Sequence, residues 1–418
     1  MPPPLPLPTP RLRYSVMATE RDEDVAAPAH GSSDGEEVLE ALLEAEHHLA
    51  PDEIAGVIER LGARMGAGEV TAYLVDHSQR VLSVLPGSTA AADELDVDGT
   101  VAGRAFQTEM VTFGASEGGR TLAWVPIKDG AERVGVLRGL TDGGPLAMRR
   151  LHALASLVAA MIVSRRQYGD DILLARRREP MALAAEMRWS MLPPLTYSSP
   201  RVNIAGVLEP AYQIAGDTFD YGINAGLVHV AILDAMGHGL EASLMASLAV
   251  SSYRHSRRAG LDLEEMVDEM DAALASQFPH DRFVTAQLAT LDIGTGQLRH
   301  LSAGHPPPML VRNGRVIGDL HTTPGPPVGL SLDAPSTLTA SLEPGDRLLF
   351  LSDGAIEARS PSGELFGRDR LGDLLERAVA SGLPSSEVMR RLMHALLDHQ
   401  GGLLQDDATL LLLEWRDG

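Results

Sequence analysis

The sequence predicts an α+β protein of two domains joined by a helical connector, and three observations predict it. Its 418 residues exceed what one ordinary core organises. Strand-like apolar runs dominate the C-terminal half without the alternating βαβ rhythm of a parallel sheet. A shorter mixture of helices and strands precedes them, set off by a proline-punctuated, amphipathic stretch at residues 167–198.

Taken in order, residues 1–34 open with MPPPLPLPTPRLRY, whose prolines break any helix, and read as a disordered tail. They contain no apolar core of signal-peptide length, and Met17 opens a more ordinary start, MATERDED. Residues 35–166 form the first domain. GEEVLEALLEAEHHLAPDEIAGVIERLGARM carries apolar residues three and four apart and reads as two helices around a turn. EVTAYLVD and RVLSVLPG read as strands, and GTVAGRAFQTEMVTFG as a short helix running into another strand. LAWVPIKDGAERVGVLRGL reads as a hairpin with Asp129-Gly130 in its turn. A closing helix from Ala147 to about Gln167 contains the run LHALASLVAAMIV, expected to be too short to cross a bilayer and to pack on a core. The order of elements, with GTVAGRAFQT, VPIK, VGVLRG and the closing helix, resembles a GAF sensory domain.

The connector places Leu183, Met187 and Met191 on one helical stripe, with Pro180 breaking it and Pro193-Pro194 ending it. Two readings of that stripe stand side by side: pairing with a second copy of the chain, or packing on the chain's own second domain. Residues 199–418 then supply strands in VNIAGVLEP, GLVHVAILD, FVTAQLATLD, QLRHLSAGH, PPMLVRNG, DRLLFLSDG and ATLLLLEW. Helices are expected at Leu240 to His255, Leu263 to Phe278, and Arg370 to Leu397 with a break near Pro384. Many strands and few long helices predict antiparallel sheets flanked by helices, an α-β-β-α sandwich.

Composition narrows the function. A net charge of −22 disfavours nonspecific binding to nucleic acid or an anionic membrane, both of the same sign. Only 4% of the residues are aromatic, which disfavours a base-stacking surface. Zero cysteines exclude disulfides, thiolate zinc sites and cysteine nucleophiles, and suit a reducing cytoplasm.

Four aspartates of the second domain share one setting. Asp217, in AGDTFDY, is expected just before the strand GLVHVAILD, and Asp234 ends that strand. Asp353 is expected to end DRLLFLSD, and Asp406, followed by Asp407, precedes ATLLLLEW. A carboxylate at a strand end points into a cleft from a rigid support, and several together repel unless cations neutralise them. Hard divalent cations suit such all-oxygen sites. Taken singly, each aspartate is also an ordinary turn or cap residue.

The series AGDTFDY, ILDAMGHGLEASLMAS, FVTAQLATLD, LSAGHPPPMLV, PGPPVGL, LEPGDRLLFLSDGAIEA, ELFGRDRL and QDDATLLLL resembles the metal-dependent (PPM, type 2C) serine/threonine phosphatases. It is most similar to their bacterial branch of sporulation stage II protein E and stress-response phosphatases. The resemblance implies two divalent cations, Mn²⁺ or Mg²⁺, that activate water for attack on phosphorus. By the same resemblance Asp234 bridges both cations, the Ala235 carbonyl helps to hold one, Asp353 and Asp406 complete one shell, and Asp217 sits near the second. Asp234 and Asp353 are its catalytic pair. Asp407 competes with Asp406 for the ligand role, and Asp220 caps or orients the loop.

MRWSMLPP resembles the family's connector, with Arg188 where glutamine is usual. The residues before Asp217 lack the phosphate-holding arginine of animal relatives. His238 reads as a loop residue rather than a proton donor, and His305 as a buttress for the turn before its prolines. The resemblance implies a GAF-regulated phosphatase acting on a phosphorylated anti-sigma-factor antagonist; linker pairing suggests a homodimer, the absence of cysteine suits the cytoplasm, and the net charge points to no nucleic-acid or membrane partner. A pseudophosphatase and a hydrolase of small phosphate esters are the alternatives.

Overall fold

The antiparallel ladders of this chain are assigned in a computed structural model, which describes residues 50–417 apart from 66–67, 92, 213–215, 322, 324 and 403. The expected tail and the first expected helix lie outside the described residues. Residues His48–Gly418 form one compact unit.

The first part of that unit is a sheet of six strands. Helix α1 (Ile54–Arg64) leads into β1 (Val70–Val75), β2 (Val81–Val84) and β3 (Glu94–Asp96). Helix α2 (Val101–Thr108) follows, N-capped by Thr100, whose hydroxyl accepts from the Gly103 amide. Then come β4 (Thr112–Glu117) and the hairpin β5 (Arg120–Asp129) and β6 (Glu132–Thr141). The sheet order is β3-β2-β1-β6-β5-β4. Tyr73, Trp124, Phe106 and Val136 pack together where α2 covers it.

Helix α3 (Pro145–Arg165) closes this part and turns Leu151, Leu154, Ala155, Val158 and Ile162 inward. The expectation that this segment is too short for a bilayer is corrected. At 21 residues the helix is long and apolar enough to cross a membrane by length and composition. The helix begins at Pro145, two residues before the expected start, because proline suits the first turn.

The connector folds as α4 (Asp171–Ala175) and α5 (Leu183–Met191), with a break around Pro180 and an end at Pro193 as expected. Its buried face is not the expected stripe. Ala184, Ala185 and Arg188 are buried, and Leu183 is exposed. Met191 packs against one core of the second domain, and Trp189, Leu192 and Leu195 against another.

The rest of the unit stacks two antiparallel sheets between two helical layers. One sheet runs β7 (Thr196–Ser198), β8 (Val202–Glu209), β17 (Ala408–Trp415), β16 (Arg347–Leu351), β13 (Met309–Arg312) and β14 (Arg315–Asp319). The other runs β9 (Asp217–Asn224), β10 (Leu227–Ala235), β11 (Val284–Asp292), β12 (Gln297–Ala303) and β15 (Leu338–Ser341). Between them Ile204, Phe219, Ile232, Leu411 and Leu413 interdigitate.

Helices α6 (Gly239–Ala259) and α7 (Leu263–Gln277) cover the five-stranded sheet through Met245, Met266 and Met270. A reciprocal cap starts α7: the Asp262 carboxylate accepts from the Glu265 amide, and the Glu265 carboxylate accepts from the Asp262 amide. After the one-turn α8 (Asp353–Ile356), helices α9 (Arg368–Ala380) and α10 (Ser385–His399) cover the six-stranded sheet through Leu375, Val388, Leu392 and Leu396. All eight residues of β17 are buried because sheet and helices enclose both of its faces.

Two expected positions are corrected. Asp217 does not precede the strand of Asp234; it opens a strand of its own, β9. Asp353 does not end a strand, since β16 stops at Leu351 and Asp353 begins α8 behind its N-cap residue Ser352.

Candidate metal centre

Strand pairing puts the first two carboxylates side by side. Asp217 and Asp234 are direct partners across β9 and β10, one at the start and one near the end of two antiparallel strands. The strands meet there because the backbones nearly touch. A Cβ on Gly216 would lie 2.8 Å from the Ala235 carbonyl oxygen, so glycine at 216 lets the two chains approach. The Ala235 amide in turn donates to the Gly216 carbonyl at 3.2 Å.

The other sheet delivers the remaining acids. The Ser352 amide donates to the Thr409 carbonyl at 3.0 Å, and the Thr409 amide donates to the Ser352 hydroxyl at 3.0 Å. These bonds lock Asp353, one residue after Ser352, beside the start of β17 and its leading Asp406 and Asp407. A Cβ on Gly354 would sit 1.9 Å from the Asp407 carbonyl oxygen, a contact only glycine permits.

The electrostatics report the crowding. Burial, then the Asp234 and Asp407 charges, hold the Asp217 carboxyl well above its usual value. Burial, then the charges of Asp353, Asp406 and Asp407, push Asp234 up to about 7. Burial and Asp406 also raise Asp353. The structure therefore pairs Asp217 with Asp234 and sets the charges of Asp353 and Asp406 on Asp234. Among the described residues no three of these side chains form a ready-made ligand set.

The donor set nevertheless fits a hard cation. Asp217 Oδ2 and Asp407 Oδ1 are buried oxygens without a hydrogen-bond partner, and the ligating atoms on offer are all oxygen. Raised carboxylate pKa values are what uncompensated like charges produce, and a divalent cation removes that cost.

Asp406 and Asp407 divide the work. Asp406 is exposed, and its charge acts on Asp234 and Asp353. Asp407 is buried; its Oδ2 accepts from the Gly216 amide at 2.5 Å and from the Asp217 amide at 3.2 Å. It thus ties β17 to the start of β9. Burial raises its pKa, and the guanidinium of Arg188 opposes that rise.

Arg188, from the connector, is the functional residue the sequence did not place. It is buried, its Nη1 lies 3.8 Å from Asp407 Oδ1, its guanidinium donates to the Pro210 carbonyl, and Asp217 also acts on its charge. The sequence signal was a cation on the short helix leading to Pro193-Pro194, but nothing in it pointed to Asp407.

Other expectations resolve as follows. Asp220 does not orient the loop; it is buried on β9 and pairs with Arg254 at 2.6 Å and Arg257 at 2.7 Å, pinning the strand to α6. His238 is an exposed residue preceding α6 whose side chain makes no cap bond. His305 is buried, with Nδ1 2.8 Å from the hydroxyl of Thr285, the cross-strand partner of Asp234. Burial lowers its pKa to about 3, so the ring is neutral.

The chain is similar to known proteins over its C-terminal half. Residues 224–416 match the family described as stage II sporulation protein E (SpoIIE). The chain is 25% identical over 268 residues to the phosphoserine phosphatase RsbU of Bacillus subtilis, covering 63% of this chain and 79% of that one. It is 26% identical over 221 residues to the phosphoserine phosphatase RsbP of the same organism, covering 51% of this chain and 52% of RsbP. The chain thus spans about half the length of RsbP. Among solved structures, the SiaA-PP2C domain of Pseudomonas aeruginosa is similar at 22% identity and a TM-score of 0.48, over 56% of this chain and 94% of that domain. With Asp217 and Asp234 paired across two strands of the sandwich, residues 224–416 of this chain are similar to the SpoIIE family, and its relatives include protein serine/threonine phosphatases.

Proposed function

We infer that this chain is a metal-dependent protein serine/threonine phosphatase whose C-terminal domain removes phosphate from an anti-sigma-factor antagonist in a partner-switching pathway. The observation that carries the reading is the cross-strand pair Asp217–Asp234 with Asp353 and Asp406 acting on it. Two divalent cations, Mn²⁺ or Mg²⁺, would be held by Asp217, Asp234, the Ala235 carbonyl, Asp353 and Asp406. Such ions acidify water and neutralise charge on a phosphoryl group. The chain's own part is positioning. Asp407 fixes the backbone of Gly216 and Asp217, Ser352 fixes Asp353, and Arg188 balances Asp407.

A protein substrate suits the surroundings. Met236, Leu240 and Leu244 follow Asp234 and are 41%, 46% and 44% exposed, an apolar surface beside an acidic centre. The relatives RsbU and RsbP are phosphoserine phosphatases, which supports the same reading. The first part of the chain, a six-stranded antiparallel sheet with a helix on its core, is read as the GAF-like sensor over residues 35–166. Residues 167–198 are read as the linker and 199–418 as the phosphatase domain. A cytoplasmic homodimer completes the proposal.

The test is Mn²⁺-dependent phosphate release from a serine-phosphorylated antagonist protein. Wild type is expected to turn over, with Asp234→Asn and Asp353→Asn at background. Wild-type activity no greater than that of the variants overturns the reading. Release from small esters alone reassigns the site to a hydrolase of small phosphate compounds.

A further inference from the structure

A cavity of about 440 Å³ lies where the first sheet, the connector and β7 meet, away from the acidic centre. Its size is that of small-molecule sites. Its walls include Arg166, Arg176, Arg177, His77 and Trp189, with Glu132 and Glu186 among them. In a chain of net charge −22 this concentration of arginine runs against the overall field.

The arginines are not equally compensated. Arg177 pairs with Glu186 at 2.6 Å, and Arg166 stands 4.0 Å from Glu132. Arg176 has no carboxylate within ion-pair distance among the described residues; its Nε donates to the Val75 carbonyl at 2.9 Å. Burial lowers its pKa from the usual arginine value, and the Glu132 and Asp76 charges only partly oppose that fall.

One wall is aromatic. The rings of His77 and Trp189 lie 4.4 Å apart, and the indole is fixed by its Nε1 donating to the Ala211 carbonyl at 2.8 Å. His77 Nδ1 and Arg177 Nε are both buried and without hydrogen-bond partners. Burial, with the charges of Arg176 and Arg177, lowers His77 to about 3, so the ring is neutral and adds no further positive charge. A guanidinium outside ion-pair distance of any carboxylate among the described residues, an anchored indole and an imidazole line one space.

We propose that this cavity is an effector site for a small planar anion of the aromatic carboxylate class, its anionic group meeting Arg176 and its ring lying against His77 and Trp189. Trp189 adjoins Arg188, whose guanidinium is 3.8 Å from Asp407, so the occupant sits one residue from a contact with the acidic centre. The site goes beyond the phosphatase reading and does not depend on it.

Calorimetric titration of the full chain with 2-naphthoate tests the site, with 2-naphthol as the ring without charge and acetate as the charge without ring. Saturable binding of 2-naphthoate at one site per chain is expected, with both controls at least about tenfold weaker. Arg176→Gln is expected to weaken it about tenfold. Arg166→Gln, at a partly exposed position on the cavity wall, is expected to weaken it as well. Absence of saturable binding, equal binding of either control, or affinity unchanged in both variants overturns the proposal. The readout is heat of binding, so failure of the phosphatase assay leaves it intact.

Discussion

Arg188 and Asp407 form a buried pair, and such a pair shows its worth when one member is removed. Arg188→Met keeps the side chain's length and apolar stem but leaves Asp407 without its guanidinium, at a cost of about 3–5 kcal/mol. Denaturant unfolding in chelator is expected to show that loss. Arg188→Met/Asp407→Leu is expected to recover much of it, because no unpaired charge remains. A single variant as stable as wild type would refute the assignment. At the same scale, the acidic residues were legible because each aspartate interrupts an apolar run at a turn. Asp407's true role was not legible. Whether a side chain points toward solvent, as Asp406 does, or toward Gly216 is decided by the pleat and by partners distant in sequence.

Elements with both faces enclosed announced themselves. β10 and β17 are continuous apolar runs because sheet and helix cover both faces, and their positions in the sequence were plain. β9 was missed because Asp217 and Asp220 break its apolar run; Arg254 and Arg257 compensate Asp220, and the backbone amide of Asp217 is tied to Asp407, none of them neighbours in sequence. β14 and β15 were missed because edge strands with largely exposed side chains carry no apolar signature. The connector's stripe misled for another reason: small residues, Ala184 and Ala185, allow the close approach that buries this helix, while its larger Leu183 faces out. The junction of α8 with β17 makes a prediction at this scale. Gly354→Ala sets a methyl group against the Asp407 carbonyl, where 1.9 Å is available, so α8 and β17 must separate. A loss of about 1–3 kcal/mol is expected by thermal or denaturant unfolding, with Mn²⁺-dependent phosphate release falling further than stability explains. Retained activity with unchanged stability would show that the two elements are not in register as described.

Across the whole molecule, a buried carboxylate helps to join the first sheet to the C-terminal sandwich among the described residues. Glu387, at the start of α10, is fully buried. It receives Arg133 of β6 at 3.1 Å, Arg390 at 2.9 Å and Arg391 at 2.8 Å. Arg390 continues to Asp98 at 2.8 Å, and Arg133 stacks 4.2 Å from the ring centroid of Phe106, so the network reaches the core of the first sheet. On the other side α10 packs on the sheet containing β17, which begins one residue after Asp407. Burial pushes the Glu387 carboxyl up, and Arg390 with Arg133 more than offsets it, leaving the pKa below the usual 4.5. A carboxylate depressed by folding contributes stability that is complete above its unfolded value and lost as pH falls through its folded one. The window therefore opens below about pH 4.5. Glu387→Gln is expected to cost about 3–5 kcal/mol near neutrality, because Arg133 and Arg390 stay buried with less compensation. Between pH 4.5 and the acid limit its stability is expected to fall less steeply than that of wild type, since the titrating group is gone. Urea unfolding followed at several pH values reads both effects. Parallel pH profiles for the two proteins would show that Glu387 is not the carboxylate holding the domains together.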